Sequence, residues 1–240
     1  SNIILVIGFV LIISSFQVKT IRKFDIFFHL FIHLLFLLIF LLDIINIFSG
    51  IFFISLFLFY LFLSFTKSSS KEIEKVEIED SFPSKMTYQK PIIFGIPIIL
   101  FSIIITLFGA QITVLSAIKI SSSLNISDSF LGLSVIAIGT SLPEIATSMK
   151  AARKKNFNLI VGNILGSNIY NLLLILGISA SFKNFTYNKN VLLFEVYFLS
   201  ISATIISILF YKNFLFRKNQ SSVFFILYFF YLFMLYRTNF

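Results

Sequence analysis

The chain has 240 residues, 58% hydrophobic and only 12% charged, with a mean hydropathy of +0.99, which excludes an ordinary soluble domain. Its formal net charge is +9, but the basic residues sit in the connections between apolar runs, a pattern of membrane orientation and not of nucleic-acid binding. No cysteine is present, so disulfides and thiolate metal sites are excluded.

In chain order, apolar runs occupy about 2–16, 26–42, 44–65, 92–118, 129–149, 158–180, 191–211 and 221–236. Most approach the roughly 20 residues that a membrane helix needs. Lipid offers the backbone no hydrogen bonds, and the runs lack the alternation of a barrel strand, so they are expected to be helices. The expected fold is an all-α, polytopic membrane bundle of about eight spans, the first of them cut short. The first run lacks the basic start and the small-residue cleavage site of a signal peptide, and reads as the tail of a span. Alternate connections carry fifteen Lys and Arg on one side of the membrane and four on the other. The positive-inside rule makes the richer side cytoplasmic and puts the C-terminus outside, in an expected plasma (inner) membrane.

Residues 66–91, "TKSSSKEIEKVEIEDSFPSKMTYQKP", form the one long polar stretch, with five Lys against Glu72, Glu74, Glu77, Glu79 and Asp80. A solvated cytoplasmic linker is the expectation, since the stretch is too short for a folded domain. It divides the chain into 1–65 and 92–240. On the second run, His29 and His33 stand four apart without an evident third ligand, and are expected to make polar contacts within the bundle or near its cytoplasmic end. Glu195 and Asp43 are expected at the membrane interfaces.

The fifth and sixth runs carry the chemistry. "AIGTSLPEIATS", Ala137 to Ser148, sets Gly139, Thr140, Ser141, Pro143 and Glu144 in an apolar segment. Proline removes a helical hydrogen bond, so the helix is expected to loosen there and free carbonyls. Irregular backbone at membrane depth is tolerated where protein or a water-filled cavity surrounds it, and a carboxylate there calls for a cation or a partner. Hard cations want this set of oxygens. The structural alternative is a proline kink with Ser and Thr satisfying the backbone, and Glu144 reaching toward Lys150 or Arg153 at the cytoplasmic end. In the next run, "VGNILGSNIYNLLLILG" places Gly162, Asn163, Gly166, Ser167, Asn168 and Asn171. The glycines allow two backbones to approach closely, and Asn163, Ser167 and Asn171, at successive i,i+4 positions, are expected to share a face toward Glu144.

"GLSVIAIGTSLPEIATSMKAA" followed by "GNILGSNIYNLLLILG" resembles the second α-repeat of the calcium/cation antiporter family, which includes the sodium/calcium exchangers. The close match covers about Gly132 to Gly177. The resemblance implies an inverted two-repeat transporter of ten helices with midplane cation ligands from both repeats. It implies Glu144 as principal ligand, carbonyl or hydroxyl oxygens from Thr140 and Ser141, and Ser167 and Asn171 facing the same site. Asn171 stands where other members carry Asp, which removes one formal charge. Only one GTSxPE motif is present, although "NIILVIG", Asn2 to Gly8, aligns with "NLLLILG", Asn171 to Gly177. That match makes Asn2 the counterpart of Asn171 and places the start of the sequence inside the first repeat, with earlier helices missing.

The expected function is secondary-active exchange of Ca2+ for Na+ or H+, these ions being cargo and no cofactor being required. The alternative is a non-transporting membrane remnant or scaffold. Membrane lipid is the expected surrounding and nucleic acid is not an expected partner. No Ser/His/Asp arrangement or HExxH motif points to an enzyme.

Overall fold

The computed structural model describes residues 2–18, 21–68, 95–124, 128–182 and 187–239. The chain divides into two compact units, Ser1–Tyr60 with Gly132–Phe240, and Leu61–Leu131. The acidic cluster between Glu72 and Asp80 lies outside the described residues. Among the described residues, each of the eight apolar runs falls mainly in helix. In order these are α1 (Asn2–Ile13), α2 (Lys23–Leu41), α3 (Ile47–Ser68), α4 (Gly95–Leu124), α5 (Asp128–Leu131), α6 (Ala137–Arg153), α7 (Phe157–Tyr170), α8 (Leu176–Ser181), α9 (Lys189–Tyr211) and α10 (Ser221–Asn239). Among the described residues, five helical stretches are long and apolar enough to cross a membrane: Lys23–Leu41, Ile47–Thr66, Phe157–Ser181, Leu192–Tyr211 and Lys218–Arg237.

In the smaller unit, α4 runs for 30 residues, about 45 Å at the α-helical rise, with Pro97 in its first turn, where a missing N–H costs nothing. In the larger unit, α1 is apolar on every face and correspondingly buried, from Ile3 to Gly8 and again at Val10 and Leu11. It packs against α6, α7, α9 and α10. A second core joins α2 to α9 and to the helical stretch after α7, through Ile32, Phe36, Phe40, Leu173 and Val196. Large apolar side chains such as Phe48, Phe62, Ile226 and Phe229 point outward, as a lipid solvent allows.

Helix ends are closed by a repeated device. Asp43, Lys155 and Asn213 adopt φ of 58°, 56° and 51° just past the ends of α2, α6 and α9. At each, the residue after it donates back into the helix, as Asn156 N does to Ala151 O at 2.9 Å. This left-handed closure satisfies carbonyls that a helix end leaves without donors. It also turns the chain sharply enough for Asn156 to cap α7, its Oδ1 accepting from Leu159 N.

At one end of this unit, β1 (Phe16–Gln17) pairs antiparallel with β2 (Leu215–Phe216), Phe16 opposite Phe216. The two rings stack at 4.7 Å and both are buried. Phe16 also stacks on Phe157, so the α1–α2, α6–α7 and α9–α10 connections gather at one end, bringing Arg22, Lys154, Lys155, Arg217 and Lys218 with them. At the other end Tyr187 donates to Asp43 and Lys189 to the Leu41 carbonyl.

Two sequence expectations about glycine and proline need correction. The helix does not loosen at Pro143, which lies inside an α6 that is α-helical from Ala137 to Arg153. The irregular turns are π-helical and stand elsewhere, at Gly132–Ile136 ahead of α6 and at Asn171–Ile175 between α7 and α8. The hydroxyls of Thr140 and Ser141 both turn back to the Ala137 carbonyl, at 3.1 and 2.8 Å, whereas the carbonyl that Pro143 leaves without its helical donor is that of Gly139. Nor do Gly162 and Gly166 mediate close helix packing, since a Cβ at either would meet nothing within 4 Å. That role falls to Gly50 of α3 and Gly177 of α8: a Cβ on Gly50 would stand 2.7 Å from the Gly177 carbonyl oxygen.

Candidate functional site

The inward stripe of α6 is Ser141, Ile145, Ser148 and Ala152, all buried, spaced four, three and four residues apart as one face of a helix requires. Glu144 lies beside this stripe and is half-buried. Its Oε2 is inaccessible and has no hydrogen-bond partner. Glu144 makes no salt bridge among the described residues, the one such bridge joining Arg22 and Asp25, so the alternative in which it reaches Lys150 or Arg153 is not the arrangement found.

The short α6–α7 turn sets α7 alongside α6, and Asn163 fastens the pair. Its Nδ2 donates to the Glu144 carbonyl oxygen at 3.1 Å and to Ser148 Oγ at 2.9 Å. The amide therefore holds the backbone of Glu144 and does not touch its carboxylate. From α1, Asn2 Oδ1 stands 2.5 Å from Ser141 Oγ, whose one proton is shared between this oxygen and the Ala137 carbonyl. Asn2 and Asn163 thus reach α6 from two different helices, on either side of Pro143.

The other candidates are not drawn together to the same degree. Thr140 is exposed and bonded within its own helix. Ser167 is half-buried, with its hydroxyl on the Ile164 carbonyl. Asn171 is exposed at the start of the π-helical turn. The expectation that Asn163, Ser167 and Asn171 share one face toward Glu144 fails for a geometric reason. Each i,i+4 step drifts about 40° around a helix, so Asn171 stands about 80° from Asn163 and has turned outward. Its neighbour Asn168 is buried instead, its Nδ2 on the Ile164 carbonyl at 2.7 Å.

The sequence reading missed Ser148 as a partner of Asn163, although its place four residues beyond Glu144 and seven beyond Ser141 marks the inward face. Glu195 lies three residues into the apolar stretch Leu192–Tyr211, is 9% exposed and lines a half-open cavity with Asn168, a burial that the sequence did not mark. Asp43 does lie in a connection. His29 and His33 are buried in the bundle as expected, their rings 4.3 Å apart. Nδ1 of His29 pairs with Ser207 Oγ and Nδ1 of His33 with the His29 carbonyl.

With this arrangement in view, comparison with known proteins is informative. A family model described as sodium/calcium exchanger protein matches residues 94–237. The chain is 31% identical over 86 residues to the sodium/calcium exchanger MaX1 of Methanosarcina acetivorans, covering 36% of this chain and 25% of that protein. It is 30% identical over 115 residues to the membrane protein MJ0091 of Methanocaldococcus jannaschii, covering 48% of this chain and 35% of that one. The match thus spans about a third or less of each relative's length. Among solved structures, one of the sodium-calcium exchanger NCX_Mj aligns with a TM-score of 0.63 and 29% identity, over 95% of this chain and 71% of that one.

Proposed function

For this chain, which belongs to the sodium/calcium exchanger protein family, we propose a role in secondary-active antiport in which Ca2+ is exchanged for Na+ or H+ with Glu144 as the principal cation ligand. One observation carries the reading: the Glu144 carboxylate on α6 has a buried oxygen with no hydrogen-bond partner. Such an oxygen is costly unless a positive charge meets it, and a transported cation supplies that charge transiently.

The remaining ligands in this reading are oxygens from Thr140 and Ser141 on α6, Ser167 on α7 and Asn2 on α1, while Asn163 holds the Glu144 backbone and Asn171, turned outward, stands apart from the set. A calcium ion takes six to eight oxygens. Ligands from an opposing repeat, which the family resemblance implies, would complete that number. Because Na+ or H+ competes for the same oxygens, entry of one cation favours release of the other. The basic connections at one end of the larger unit face the cytoplasm in this reading, following the positive-inside rule.

Glu144→Gln keeps the size of the side chain and removes its charge. In the full-length protein reconstituted in vesicles, uptake of radioactive calcium driven by a sodium or proton gradient should collapse to background. Near-normal uptake by this variant would remove Glu144 from the role.

A further inference from the structure

We propose that Glu195 and the cavity beside it form a second binding site for one monovalent cation, a proton or a sodium ion, distinct from the ligand set around Glu144. The cavity is about 70 Å3 and is walled by Ile3 and Ile4 of α1, Asn168 of α7, Glu195 and Ser202 of α9, and Tyr231 of α10. A single water needs roughly 10–15 Å3 of such space, so the cavity admits a small ion or a water. None of its lining residues belongs to α6.

Glu195 is nine-tenths buried, and neither of its carboxylate oxygens has a hydrogen-bond partner. It occupies the second turn of α9, within the stretch Leu192–Tyr211, which is long and apolar enough to cross a membrane. An ionised carboxylate in such a place is strongly disfavoured without a counter-charge. No Lys, Arg or His lines the cavity, so the positive charge must come from outside the protein. One carboxylate balances one unit of charge, which selects a monovalent ion.

The neighbouring atoms are of the right kind. Asn168 uses its Nδ2 on the Ile164 carbonyl, which leaves Oδ1 as its acceptor end. Ser202 and Tyr231 add a hydroxyl and a phenol oxygen. The Tyr231 ring stacks on Phe198 at 4.8 Å and on Phe194 at 6.2 Å, so two rings of α9 hold it beside the carboxylate. Tyr231, with Tyr228 packed against its ring at 6.0 Å, is the titratable pair on α10; the wall residues from α1 and α7 carry no titratable group.

Infrared difference spectroscopy of the protein in liposomes tests the site, reading the carbonyl stretch of a protonated carboxylic acid. Glu195→Gln should abolish one component of that band, Glu195→Asp should shift it, and Glu144→Gln should leave it in place, which separates this site from the proposed transport site. In the wild-type protein the component should fall as pH rises. A component that also falls on adding sodium at fixed pH, but not choline, assigns the site to Na+, with a midpoint that rises about tenfold per unit fall in pH through competition. One that follows pH and ignores sodium assigns it to the proton. The proposal is overturned if no component tied to Glu195 responds to either ion.

Discussion

Asn163 offers the sharpest test of how the candidate site is held, because one side chain supplies two interhelical hydrogen bonds, to the Glu144 carbonyl and to Ser148 Oγ. Replacing it with leucine keeps the bulk and removes both. Interhelical hydrogen bonds within membranes contribute about 0.6 kcal/mol on average and up to about 1.7, so two give about 1–3 kcal/mol. Ser148 is fully buried, and stranding its hydroxyl places the loss toward the upper part of that range. Ser148→Ala alone should cost one bond, about 0.5–1.5 kcal/mol. The double variant should then cost less than the sum of the singles by the energy of the shared bond. The measurement is denaturation in mixed micelles followed by far-ultraviolet circular dichroism, suited to a chain with no tryptophan. Strictly additive losses, or a leucine variant within about 0.3 kcal/mol of wild type, would refute the claim that Asn163 ties α7 to α6.

Gly50→Ala should destabilise at the upper end of overpacking costs, about 3 kcal/mol, because the new Cβ would stand 2.6 Å from Ser181 Oγ and 2.7 Å from backbone atoms that cannot yield; an unchanged melting temperature in detergent would refute the close α3–α8 approach. Tyr187 lies outside the spans, and its phenol is pushed up to about 12, first by burial and then by its hydrogen bond to Asp43 and that residue's negative charge. A raised value means that the Tyr187–Asp43 contact stabilises fully below pH about 10 and is lost as pH rises through about 12. Absorbance titration should show Asp43→Asn bringing one phenolate transition down, and an unshifted titration would refute the pairing. Cysteines introduced into this cysteine-free chain at Ser69 and Ser123 should label only after permeabilisation and from outside, respectively; reversed labelling would overturn the proposed orientation.

The helices were legible because a lipid solvent leaves the sequence few choices: each apolar run must satisfy its own backbone. What the sequence could not show was register. Pro143 announces a weak turn, yet α6 stays α-helical through it, and the π-helical turns fall at Gly132–Ile136 and Asn171–Ile175, where no proline marks them. Spacing four apart suggested a common face for Asn163, Ser167 and Asn171, yet drift over two steps separates the ends of that series. Glu195 illustrates a different limit. Nearness to the start of a run suggested an interface, whereas burial depends on α1, nearly 200 residues earlier in the sequence, which no local pattern reports.

The small ribbon of Phe16–Gln17 and Leu215–Phe216 acts as a splint on α1. Three further bonds reinforce it: Gln17 Nε2 to the Asn213 carbonyl, Lys218 N to Ser15 Oγ, and Ser221 Oγ to the Gly8 carbonyl. Helix α1 is 12 residues long, about 18 Å, and its far end carries Asn2 against Ser141. One end is thus clamped to β2 and α10 while the other touches α6, the helix that carries Glu144. A displacement at the clamp would be carried along the axis of α1 to Ser141.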